Sequence, residues 1–129
     1  MNTIQRTAVA LGLTAAIAGP TAFVLAGPAT ADQEKGGWCA GARYELSVDR
    51  EGRGYEIDAD LDGAEPGSAW RLVLRHDGEV VAKGVRTADR EGDIDLERLR
   101  PDTAGTDTFT LTVRKVSGPP ACRTTIVAR

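Results

Sequence analysis

Tyr55-Glu56-Ile57-Asp58-Ala59-Asp60-Leu61-Asp62 places an apolar residue at every odd position and a carboxylate at every even one. A period of two is the pleat of a β-strand, whose side chains point alternately to opposite faces. The stretch therefore reads as a strand with one buried face and one solvated acidic face. Upstream, Tyr44, Leu46 and Val48 alternate with Arg43, Glu45, Ser47 and Asp49, and Arg50 to Gly54 reads as the turn joining the two runs into a hairpin. Downstream, the Gly- and Pro-bearing segment Gly63 to Ser68 is a loop, after which Trp70, Leu72 and Leu74 alternate with Arg71, Val73 and Arg75. Asp77-Gly78 is the strongest hairpin signal, because a type I′ turn needs positive φ at both central residues and Asp and Gly tolerate it best. Glu79 to Arg86 returns as its partner. Gly92 to Leu96 is a short strand with Ile94 and Leu96 inward, Phe109, Leu111 and Val113 mark a sixth, and Cys122 to Ala128 is the last. About seven short strands with turns between them predict an all-β chain, an antiparallel β-sandwich.

Leu99-Arg100-Pro101-Asp102-Thr103-Ala104-Gly105-Thr106-Asp107-Thr108-Phe109-Thr110-Leu111 resembles the corner before strand F of immunoglobulin-like domains, where an Asp-x-Ala-Gly turn precedes a strand carrying an inward aromatic. The stretch from Trp70 to Val113 also resembles small secreted actinobacterial proteins of the immunoglobulin-like or fibronectin type III-like kind. Trp70 holds the place of the core Trp. Phe109 replaces the corner Tyr, and no Cys lies on the sixth strand, so the match to antibody domains is incomplete. The resemblance implies an immunoglobulin-like sandwich over residues 42–129, preceded by an extension at 32–41 that carries Cys39. It implies further that the first strand lies parallel to the last, which would make Cys39 and Cys122 neighbours. For function it implies a binding module, by analogy of fold alone.

The chain has 129 residues, 41% hydrophobic and 5% aromatic, with a single His, which is the size of one small domain. Its formal charge of -3 gives no support for a nucleic-acid binder that relies on counterion release. No charged residue lies between Arg6 and Asp32, and every acid lies at or after Asp32. Arg6 supplies a short positive region, Thr7 to Ala18 an apolar one, Gly19-Pro20 and Gly27-Pro28 break any helix, and Ala29-Thr30-Ala31 is an A-x-A cleavage triplet. Residues 1–31 are thus expected to be a signal peptide, with Asp32 as the mature N-terminus and no stable membrane insertion after cleavage. Removing them takes away Arg6 and no acid, which leaves 15 basic and 19 acidic residues and a net charge of -4. Two cysteines in an exported chain are expected to form one disulfide, Cys39 to Cys122, in an oxidising compartment.

Few chemistries fit the remaining residues. Asp58, Asp60 and Asp62, followed by Gly63, copy the first half of a calcium loop. On a strand, however, the three carboxylates stand about 6 to 7 Å apart, whereas ligands of one Ca²⁺ all lie within about 2.3 to 2.6 Å of it. Ala69 occupies the place of the bidentate Glu. His76 sits beside the Asp77-Gly78 turn and is expected to be a polar residue at a hairpin tip. Ser47, Ser68 and Ser117 have neither a nucleophile motif nor a second His, so no catalytic residue, zinc site or cofactor is expected.

Assigning the strands to sheets exposes a pattern of charge. Outward positions on the first, second and fifth strands are Glu45, Asp49, Glu56, Asp58, Asp60, Asp62, Asp93, Asp95 and Glu97, against Arg43 alone. On the other four they are Arg71, Arg75, Lys83, Arg114, Arg123 and Arg129, with Thr110, Thr112 and Thr125 between them. One acidic sheet and one basic sheet result. The expected function is a non-catalytic secreted or envelope-associated module whose basic face meets an unidentified anionic macromolecule, or whose opposite faces associate. The alternatives are a secreted hydrolase inhibitor acting through Lys115 to Ala121, where Ser117-Gly118-Pro119-Pro120 would preset an extended segment, and a carrier of a small apolar ligand.

Overall fold

The computed structural model describes residues 33–128 as eight strands: β1 (Gln33–Cys39), β2 (Ala42–Glu51), β3 (Gly54–Asp62), β4 (Ala69–His76), β5 (Glu79–Thr87), β6 (Ile94–Pro101), β7 (Asp107–Lys115) and β8 (Cys122–Ala128). Residues 1–32, which include the expected signal peptide, and Arg129 lie outside the described residues. Two four-stranded antiparallel sheets, β1-β2-β3-β6 and β5-β4-β7-β8, form a β-sandwich compatible with an immunoglobulin-like fold. Alternation in the sequence is what makes this possible. Each sheet directs one set of apolar side chains inward, and Trp70, Phe109, Leu46, Ile57, Leu61, Leu72, Leu74, Leu111, Ile126 and Val113 are fully buried between the two. Burying each large side chain is worth about 1.5–3 kcal/mol. The Trp70 ring keeps its polar edge satisfied by donating from Nε1 to Ser68 Oγ at 2.9 Å. Tyr55 meets Phe109 edge-on at 5.1 Å between centroids.

The Asp77-Gly78 turn has the expected left-handed backbone, φ 52° and 87°, and joins His76 to Glu79 in register. Three expectations change. Residues 33–39 are not an extension but an eighth strand, paired with β2 from Gln33↔Val48 to Cys39↔Ala42. Ala40 and Gly41, at φ 50° and 86°, close this hairpin. Gly36-Gly37 had hidden the strand by interrupting the apolar alternation. The second change concerns the disulfide. Cys39 and Cys122 are bonded, with Cα atoms 5.9 Å apart, but no parallel pairing of first and last strands brings them together. Instead β1 pairs with β2, β8 pairs with β7, and the bond links the two sheets along one side of the sandwich. Tyr44 reinforces the same side by donating from its hydroxyl to the Arg123 carbonyl at 3.3 Å. Third, β6 runs on to Pro101, so Leu99 and Arg100 belong to a strand rather than to the corner.

Candidate functional site

The outer face of the second sheet is built by register. On β4, Arg71, Val73 and Arg75 point away from the core because Trp70, Leu72, Leu74 and His76 point into it. Arg71 stands opposite Arg114, Val73 opposite both Lys83 and Thr112, and Thr112 opposite Arg123. Arg75 stands opposite Thr110, which faces Thr125 in turn. Strands about 4.8 Å apart, with like-facing residues about 7 Å apart along each, hold five cations on one patch. Among the described residues Arg71, Arg75, Lys83, Arg114 and Arg123 form no ion pair. Arg75 is half-buried, and its Nε has no hydrogen-bond partner. Four of the five arginines expected on this face are therefore brought together, and Arg129 lies outside the described residues.

The first sheet is its electrostatic opposite. Glu45, Asp60 and Asp95 form one cross-strand row, Ser47, Asp58 and Glu97 the next, and Asp49 and Glu56 a third pair. Like charges directly opposite one another repel. Partial burial, a shared hydrogen bond with Asp95 and the charges of Asp95, Asp58 and Glu45 lift the Asp60 carboxyl to about 7. Asp58 is raised by burial and by Glu97, and Glu56 chiefly by Glu97. The pleat keeps Asp58, Asp60 and Asp62 apart as a calcium set. Asp58 converges instead with Asp49 and Glu56, whose ligand oxygens all lie within 4.8 Å of one another.

The expectation for His76 fails outright. It is 2% exposed, stacked on Phe109 at 4.4 Å between centroids, with Nε2 2.7 Å from Asp107 Oδ1. Arg100 Nε donates to Nδ1 at 3.3 Å, which assigns the ring proton to Nε2 and makes the imidazole a donor to Asp107. Asp107, itself 0% exposed, also accepts from Thr103 Oγ1 at 2.6 Å and from the Tyr55 hydroxyl at 3.2 Å. Burial pushes its pKa up, but these hydrogen bonds outweigh burial and hold it at about 2. Asp77 completes a group close enough to share a cation. The Nε2 proton, however, occupies the lone pair that a metal would need. The network ties the β4-β5 hairpin to the β6-β7 corner. Strand period was a signal that could have pointed both residues inward, His76 in the series of Trp70, Leu72 and Leu74 and Asp107 in that of Phe109 and Leu111, but it was not applied to either. Their meeting depends on the β4-β7 register, in which His76 lies opposite Phe109.

The Lys115 to Ala121 segment begins as a turn rather than as an extended arm. Gly118 N–H donates to the Lys115 carbonyl at 2.9 Å, and Ser117 has a φ of 65°. No family model, curated protein or solved structure matches the chain.

Proposed function

We propose that the chain is a non-catalytic, exported binding module that engages an anionic polymer of the cell envelope through Arg71, Arg75, Arg114 and Arg123. The observation that carries this reading is that, among the described residues, those cations form no ion pair and share one face, while the acids gather on the other sheet. Arginine suits the task because its planar fork meets phosphate and carboxylate oxygens two at a time. Export is supported by the leader, positive at Arg6 and uncharged from residue 7 to 31, with its Ala29-Thr30-Ala31 triplet, by the disulfide, which belongs to an oxidising compartment, and by the resemblance to small secreted actinobacterial proteins. Among the described residues no helix is long and apolar enough to cross a membrane. The inhibitor reading stands second, because it asked Ser117 to Pro120 for an extended shape and the segment starts as a turn.

The test uses protein recovered from culture medium, whose intact mass should begin at Asp32. Retention on polyphosphate-coated beads should be strong at low ionic strength and fall as the screening length shrinks from about 30 Å to about 8 Å. Arg71→Glu with Arg75→Glu should abolish it, whereas Asp58→Asn with Asp60→Asn should leave it intact or stronger. Retention that survives the reversal, or none at low salt, overturns the proposal.

A further inference from the structure

Trp38 is 73% exposed, whereas the other tryptophan, Trp70, is 1% exposed. Its position is imposed from both sides. Cys39 must face inward to bond Cys122, so its neighbour on β1 faces outward, and the Ala40-Gly41 turn follows at once. The indole is thus fixed on a short hairpin clamped by a disulfide, a rigid mount for a large flat ring. Beside it lies a cleft of about 380 Å³, within the range of about 300–1,000 Å³ typical of small-molecule sites.

The floor of that cleft is Gly36. A Cβ at this position would collide with the Tyr44 carbonyl oxygen, so no side chain can fill the gap between the outward positions of Glu34 and Trp38. The rim is polar. Arg43 stands opposite Trp38 and Glu45 opposite Gly36, and the guanidinium and carboxylate lie 3.6 Å apart and remain accessible. On that face Glu34 and Glu45 supply two carboxylates and Arg43 one guanidinium, while Lys35 alternates to the other face opposite Leu46, so the rim does not favour an anion. The cleft offers one apolar plane with strong donors and acceptors around the edge.

We propose that this cleft is a binding site for a neutral saccharide. A pyranose presents C–H groups on one face, which the electron-rich face of an indole attracts, and hydroxyls around its perimeter that both donate and accept. Carboxylates of Glu34 and Glu45 accept from hydroxyls, and Arg43 donates to hydroxyl or ring oxygens. The cleft is lined by β1 and β2, and β1 is the edge strand of its sheet. The site lies on the sheet opposite the basic face and needs no charge on the ligand, so it does not depend on the anion-binding proposal.

The two tryptophans supply the assay. Because Trp70 is sealed in the core, acrylamide quenching of the mature protein reports on Trp38. Titration with cellohexaose, chitohexaose or maltohexaose should protect Trp38 from quenching and move its emission to shorter wavelength for at least one of them, with little dependence on salt. Trp38→Ala should lose the binding while keeping the melting temperature. Glu45→Gln should weaken it about tenfold, the usual effect of losing a hydrogen bond to a charged group. Arg71→Glu with Arg75→Glu should leave it unchanged, which separates this site from the basic face. If none of the three sugars protects Trp38, if a proline decamer protects it in their place, or if sugar binding persists in Trp38→Ala, the proposal fails.

Discussion

On the first sheet Asp60 has Asp95 directly opposite on one side and Glu45 on the other, and Asp60→Asn measures how strongly that row of acids opposes folding. Burial, the hydrogen bond to Asp95 and the neighbouring charges raise the folded-state pKa to about 7 from 3.8. An acid whose pKa rises on folding takes up a proton as the chain folds. Its contribution to stability is therefore fully present below the unfolded pKa, near 4, and is lost as the pH rises through about 7. A shift of about three units at 1.36 kcal/mol per unit sets a ceiling of about 4 kcal/mol. Asp60 is only half-buried, and solvent screening reduces the expected effect to about 1–2 kcal/mol. The raised pKa values of Asp58 and Glu56 act in the same direction. The wild-type protein should accordingly melt at higher temperature near pH 5 than near pH 8. Asn is uncharged throughout, so Asp60→Asn should raise the melting temperature at pH 8 by about 5–10 °C, at roughly 4–8 °C per kcal/mol for a domain of this size. At pH 4 the two proteins should coincide. Circular dichroism melts across this range provide the measurement, and added salt should shrink the difference. A wild-type melting temperature that climbs from pH 5 to pH 8, or an Asn variant no more stable at pH 8, refutes the account of the acidic face.

Asp107 makes the opposite prediction. Its pKa is depressed on folding to about 2, so its contribution is present above about pH 4 and is lost as the pH falls through about 2. Asp107→Asn should lower stability near pH 7 by about 2 kcal/mol, read from the urea midpoint, and flatten the acid limb of the pH profile. The Cys39–Cys122 bond spans 83 residues of sequence, and the chain-entropy model values a loop of that size at about 4–5 kcal/mol. Cys122→Ser should therefore lower the melting temperature by well over 10 °C, and a loss under about 5 °C would mean that the bond scarcely constrains the unfolded chain.

Sequence alone determined whatever follows from a side chain's place along its own strand. Alternation from Arg43 to Asp62 and from Trp70 to Arg75, with the Asp77-Gly78 turn, was enough for the sandwich, its core residues and the division of charge between its faces, because a pleat sends neighbours to opposite sides wherever the strand lies. The same rule could not recover β1, where Gly36 and Gly37 carry no side chain to alternate. Nor could it say what meets across strands or between sheets. The Asp60–Asp95 proton, the turning of His76 from a hairpin tip to a buried donor on Asp107, the clustering of Asp49 and Glu56 with Asp58, and the cleft beside Trp38 all depend on register and on the stacking of one sheet over the other. These are set by packing and cross-strand pairing, between residues more than thirty positions apart for Asp60 with Asp95 and His76 with Asp107 and across a single hairpin for the other two, and only the tertiary structure decided them.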